Sequence, residues 1–214
     1  MSDWGPEFLT IAILHGLAVV SPGPDFAIVI KQSVREGRFI GRITAIGVGT
    51  AILWHVAYSL VGVSFLANSS ETLFNYMKYF AAAYLIYLGY GAIRTKANRD
   101  VSLVDGSETN SVKSTWAAFR IGFLTNGLNP KAALFFISLF TVVIQTTTPL
   151  IIQMAYGLYL ATATALWFFI VATFFSHERV RRKFELMGHW FDRVMGVLLI
   201  ILGLNIAFSS LAWV

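Results

Sequence analysis

Residues 8–30 read FLTIAILHGLAVVSPGPDFAIVI, an apolar run of membrane-crossing length cut by Ser21-Pro22-Gly23-Pro24. About 20 helical residues cross the roughly 30 Å of hydrocarbon in a bilayer, so the run is long enough to be a span. Proline removes a backbone donor and clashes with the preceding turn, and glycine adds freedom. The run therefore reads as a helix broken inside the membrane, with Asp25 directly after the break. Carbonyls freed by such a break must be satisfied by protein or by water in a cavity. The same design recurs at residues 116–144, where Asn129-Pro130-Lys131 interrupts the run and Lys131 stands where Asp25 stood.

Further apolar runs cover about 43–66, 79–93, 150–175 and 194–213, which makes six in all. Between the third and fourth lies the one polar linker, 95–114, rich in Asn, Asp, Ser and Lys. Composition agrees: 57% of the 214 residues are hydrophobic and 13% charged, against about a quarter charged in soluble domains. Mean hydropathy is +0.68. A chain this small has no interior able to hide so much apolar surface, so lipid is its solvent. The absence of cysteine excludes disulfides, thiol redox chemistry and thiolate metal sites. Met1 to Glu7 is acidic and lacks the basic start of a cleaved signal, so the first run is expected to be retained.

The net charge of +5 does not form a nucleic-acid patch. It falls in three clusters between apolar runs: Lys31, Arg35, Arg38 and Arg42; Arg94, Lys96, Arg99 and Lys113; and Arg179, Arg181, Arg182, Lys183 and Arg193. Basic loops stay in the cytoplasm, so both termini are expected outside. In the last cluster Val180, Phe184, Met187 and Trp190 recur at helical spacing, which reads as a helix lying in the interface.

The two halves echo each other. Leu85-Ile86-Tyr87-Leu88-Gly89 is matched by Leu199-Ile200-Ile201-Leu202-Gly203, with Ala82 against Gly196 at the same offset. Leu53-Trp54 corresponds to Leu166-Trp167, and Pro24-Asp25 to Pro130-Lys131. With three helices per half, the second half enters from the opposite side. The expected fold is an all-α membrane protein of two inverted three-helix repeats, 1–94 and 115–214, joined by the cytoplasmic linker 95–114. Transporters of this plan bind at the midplane, where broken helices meet.

Asp25 and Lys131 are the two formal charges deep in apolar runs. Each costs roughly 2.5–3.5 kcal/mol at mid-bilayer on insertion scales, so they are expected close together, directly or across one water. A structural ion pair is one reading and a site for a zwitterionic solute is the other. Helix N-termini suit a carboxylate, Asp25 suits an ammonium group, and Asn126 and Asn129 donate and accept beside them. An α-amino acid carries that pair of charges. His55 shares a face with Thr44, Ala51 and Ser59 and is expected to point into the bundle, as a hydrogen-bonded or proton-relay group. His15, alone on an apolar stretch, reads as core. Gly157, Ala161 and Ala165, like Gly47 and Ala51, are spaced for close helix approach.

Ser21-Pro22-Gly23-Pro24-Asp25-Phe26, Gly37-Arg38, Gly47 with Gly49, and Leu124-Thr125-Asn126-Gly127-Leu128-Asn129-Pro130-Lys131-Ala132 resemble the LysE/RhtB family of bacterial amino-acid exporters over the whole chain. The resemblance implies a multi-pass protein of the bacterial inner membrane. It implies proton-driven export of small amino acids, threonine- or homoserine-like or basic. The resemblance carries Pro22, Gly23, Pro24, Asp25, Asn129, Pro130 and Lys131 over as the substrate site; the chemistry of the residues adds Asn126 to it and makes Asp25 and His55 the candidates for proton coupling. The partners are amino acid, protons and lipid, with a homodimer admitted and no cofactor, metal or nucleic acid. An enzyme is not expected, since HExxH and GxSxG are both missing. A passive channel, or an exporter of another zwitterionic metabolite, is the alternative.

Overall fold

The computed structural model describes residues 4–21, 23–67, 71–94, 114–145, 147–174, 190, 193–194, 196–201, 203–204 and 207–208. Among them every regular element is a helix: α1 Gly5–Val20, α2 Pro24–Arg35, α3 Arg38–Ala67, α4 Glu71–Ile93, α5 Thr115–Gly127, α6 Pro130–Val142 and α7 Leu150–Phe174, with further helical residues at 196–201. Pro22, nearly all of the linker and the expected interfacial helix at 180–190, save Trp190, lie outside the described residues.

Both expected breaks are present. The pair α1–α2 is bent by 54°, and α5 gives way to α6 across Leu128 and Asn129. Pro24 and Pro130 open the restarted helices, where the missing N–H of proline costs nothing and its fixed φ suits the first turn. At Gly23 the backbone is extended, with φ −146° and ψ −167°, a conformation any residue adopts. The conformational freedom of glycine is therefore not needed at Gly23, and Pro24 opens the restarted helix.

α3 and α7 are each long and apolar enough to cross a membrane, and the bent α1–α2 pair makes a third candidate. α3 begins at Arg38, earlier than the apolar run indicated. Arg42 explains the difference: its guanidinium lies 4.7 Å over the Phe169 ring and its Nε donates to Thr173 Oγ1 at 3.1 Å. A long basic side chain can thus extend a helix along an apolar neighbour while its charge stays near the helix end. α4 likewise starts at Glu71, because ETLFNYMK forms helix without the apolar signal of the run from Tyr79 onward.

α3 is the central element, packed on α2, α5, α6 and α7. Its crossing with α5 is backbone on backbone. A Cβ on Gly47 would sit 2.1 Å from the Phe119 carbonyl oxygen, and one on Gly122 would sit 2.0 Å from that of Thr44. Against α7, Gly49 meets Ala161 and Ala165, and Gly157 meets Val56, as the small-residue spacing indicated. Gly89 lies against Gly196 and Ile200, while Gly203 lies against Ala82 and Ile86.

Two buried clusters fill the interior. One joins α1, α3, α4, α6 and α7 around Ile11, Leu85, Leu139, Phe140 and Leu160. The other joins α2, α3 and α7 around Phe26, Val29, Val48 and Val171. Large apolar side chains also cover the outside, among them Trp54, Val61, Tyr87, Ile151, Leu158 and Leu166, each more than half exposed. Water would not tolerate so continuous an apolar exterior; a bilayer rewards it.

Candidate functional site

α1 with α2, and α5 with α6, run past each other in opposite directions, and polar and ring contacts mark the register. Glu7 near the start of α1 accepts from Gln145 N at 3.1 Å and from Thr148 Oγ1 at 3.0 Å, just beyond the end of α6. His15 faces Phe136, with ring centroids 6.4 Å apart. Ser21 accepts from Lys131 Nζ at 3.3 Å. Past the break, Asp25 Oδ2 accepts from Asn126 Nδ2 at 3.0 Å and from Asn129 Nδ2 at 3.4 Å. The two breaks therefore lie side by side, and every chemically interesting residue of one touches the other.

Local sequence sets each side chain. Asn129 is the N-cap of α6, and its Oδ1 accepts from Lys131 N at 3.0 Å. That bond turns its Nδ2 toward Asp25. Asn126 lies in the last turn of α5, is 2% exposed, and accepts through its carbonyl from Asn129 N at 2.8 Å. A carboxylate only accepts, so the amide nitrogen of Asn126 must face Asp25, which leaves its Oδ1 pointing elsewhere. Both Asp25 Oδ1 and Asn126 Oδ1 are buried without a protein hydrogen-bond donor. Each such buried acceptor is costly unless a donor comes to it.

His55 is fully buried on α3. Its Nε2 lies 3.1 Å from the Asn126 carbonyl, its Nδ1 is bonded to the Tyr58 hydroxyl, and its ring stacks on Phe136 with centroids 5.5 Å apart. A carbonyl cannot donate, so Nε2 carries a proton, and in the neutral ring Tyr58 donates into Nδ1. His55 thus grips the backbone of a residue that itself grips Asp25.

Gly23, Pro24, Asp25, Asn126, Asn129 and Lys131 line one cavity of about 70 Å³. A water needs roughly 10–15 Å³ on this measure, so the space holds several waters or one small solute. Pro130 starts α6 without lining the cavity, His55 stands behind Asn126, and Pro22 is outside the described residues. Asp25 and Lys131 come to the same cavity, as their charges required. Their contacts differ from a bare pair, however, because the two asparagines hold the carboxylate and Ser21 receives the ammonium.

Ser21, His15 and Thr164 line the cavity without having stood out in the sequence as site residues. Ser21 was legible only as part of the break. His15 read as core and is buried, yet it lines the cavity, its Nε2 bonded to Thr164 Oγ1 at 2.8 Å. Nothing in the sequence joins two residues 149 positions apart.

Broken apolar helices that deliver opposite charges to a common cavity, inside an apolar exterior, define a membrane transport protein. The chain belongs to the LysE type translocator family, whose sequence model matches residues 17–210. It is 26% identical to the threonine efflux protein of Escherichia coli strain K12, over 94% of this chain and 98% of that one. It is 36% identical to the leucine efflux protein of Salmonella choleraesuis, over 61% of this chain and 60% of that one. An uncharacterized membrane protein of Bacillus subtilis strain 168 is 26% identical over 92% of this chain and 96% of its own. No solved structure matches. Translocators are transporters, and the protein is not an enzyme.

Proposed function

We propose that this protein exports small amino acids from the bacterial cytoplasm across the inner membrane in exchange for protons. The observation that carries the reading is the meeting of the two breaks. An anionic Asp25 with a free acceptor oxygen, a second free acceptor on Asn126, and the Lys131 ammonium line one cavity. An α-ammonium group supplies the donors that Asp25 Oδ1 and Asn126 Oδ1 lack. Its carboxylate then turns to Lys131 and the α2 N-terminus, which has no side-chain cap. The threonine and leucine efflux relatives support amino acids as the solute, and the threonine or homoserine class rests on the family resemblance.

The proposed architecture is six membrane-crossing segments in two inverted repeats, 1–94 and 115–214, with the linker 95–114 cytoplasmic and both termini outside. Support comes from where helices cross. Segments that correspond in the repeat run antiparallel and cross at corresponding residues. The two breaks meet each other. Gly89 against Ile200 is mirrored by Gly203 against Ile86, which centres that crossing near Leu85 and Leu199.

Coupling arises from competition. A protonated Asp25 cannot attract an ammonium group, so a proton and the substrate exclude each other at one carboxylate, the condition for exchange. His55 is the second proton-coupling residue: a proton on Nδ1 turns away the Tyr58 donor and shifts the Asn126 backbone that holds Asp25 in place. In proteoliposomes a pH gradient should drive amino-acid movement, and Asp25→Asn should abolish that response while leaving slower exchange. A variant that still responds to the gradient would overturn the role of Asp25. Transport by the unmodified protein that ignores the gradient would indicate a channel.

A further inference from the structure

The cavity has a second end, and its walls bear on which amino acid fits. One turn beyond Lys131 on α6 stand Phe135 and Phe136, and on the facing stretch of α1 stand His15 and Ala18. Ile52 of α3, Leu88 of α4 and Leu199 close the remaining sides. The polar groups here are His15 and Thr164, and they are bonded to each other at 2.8 Å, the histidine 3% and the threonine 1% exposed. Among the described lining residues the acidic one is Asp25, at the other end.

We infer that this end is the side-chain subsite, and that it selects amino acids with an uncharged, compact, largely aliphatic side chain against basic and aromatic ones. The inference rests on the zwitterion reading of the polar end. Once the α-ammonium has taken Asp25, a lysine-like side chain would bring a second cation into a wall with no second carboxylate. Such a charge stays unpaired in an apolar setting, which is strongly unfavourable. A hydroxyl is different. The His15–Thr164 pair is already satisfied, so it neither rewards a hydroxyl nor is left broken by a methyl, and an apolar pocket rejects an added hydroxyl only weakly. Threonine and valine should therefore be handled alike. The size limit comes from the side chains that close this end, among them Leu88, a partly buried residue on its wall. Leu88 is thus a specificity-determining residue.

The test is competition against labelled glycine exchange by the full chain in proteoliposomes. Glycine has no side chain and reports on the polar end alone. Valine, leucine and threonine should all compete, within about a hundredfold of one another, since one methylene or hydroxyl in an apolar pocket is worth about 10–200-fold. Lysine, arginine and phenylalanine should compete at least tenfold more weakly than the weakest of those three. Leu88→Ala should raise phenylalanine relative to valine by about tenfold. Leu88→Phe should weaken leucine relative to glycine, a second readout should the alanine variant fold poorly. Lysine competing as well as valine would overturn the subsite while leaving amino-acid exchange intact. Failure of glycine and every other amino acid to exchange would instead overturn the transport reading beneath it.

Discussion

At the first break the restarted helix α2 begins at Pro24 behind Gly23, which offers no side-chain cap. At the second, α6 begins at Pro130 behind Asn129, which accepts from Lys131 N through its own side chain. The second break also closes on itself through Asn129 N and the Asn126 carbonyl, and His55 holds that carbonyl from behind. The first starts its helix without a side-chain cap, and its carboxylate is held from outside by amides of the second. The two breaks look equivalent in sequence and do different jobs. The second is braced and donates; the first carries the carboxylate that receives those donors and keeps one of its own oxygens without a donor. In the proposed exchange of a proton for a cationic group, that carboxylate is the part that has to change state.

That contrast can be pressed hardest by removing charge. Lys131→Met strands the Asp25 carboxylate in an apolar bundle. Breaking a buried pair costs about 3–5 kcal/mol, and because neither residue is fully buried a loss near the low end, about 3 kcal/mol, is expected. Folded yield and detergent melting temperature should fall, and adding Asp25→Asn should restore them without restoring transport. Single-mutant losses that simply add in the double mutant would show that the two breaks are not coupled.

A smaller effect is expected at the scaffold's cap. Asn129→Ala removes the α6 cap, worth about 1 kcal/mol, and one of two donors to Asp25. Melting should shift by a few degrees while the response to a pH gradient weakens more than exchange does. An unchanged coupling ratio would reduce Asn129 to a cap alone.

The smallest stability effect should come from Gly23. A Cβ there meets nothing nearer than the Ser21 carbonyl at 4.0 Å, so Gly23→Ala should melt like the parent protein. Gly23→Leu should fold as well, yet block exchange by filling the cavity that Gly23 lines. Gly122→Ala makes the control, since its Cβ would overlap the Thr44 carbonyl and overpacking costs about 1–3 kcal/mol. If Gly23→Ala proved the more destabilising of the two, the first break would depend on glycine after all.

How much of the molecule is readable in its sequence divides by range. Pro24, Pro130 and the charges beside them act within one helical turn, and apolar runs advertise their own length, so the breaks and the long apolar helices α3 and α7 were legible. The expectation that Asp25 and Lys131 share a place came from the cost of burying either alone. Helix starts were misjudged where the apolar signal was the wrong guide, as at Arg38 and Glu71, because a helix can continue through polar residues near a membrane surface. The cavity's far end was not legible. His15 and Thr164, like Glu7 and Thr148, are joined by packing across more than a hundred residues, and no local pattern encodes that. Gly23 misled for a related reason: a glycine reads as a need for freedom, and the backbone there is merely extended.

The bonds on Asp25 also have a history within each molecule. Its two donors are encoded 101 and 104 residues after it. At ordinary synthesis rates of about 5–20 residues per second, the first half waits in the membrane for roughly 5–20 s before either asparagine exists. During that interval the carboxylate must remain protonated or hydrated, and the half-made protein is at its most vulnerable to membrane proteases. A gene split within the linker should therefore yield a first half that is degraded when made alone and preserved when the second half is made beside it.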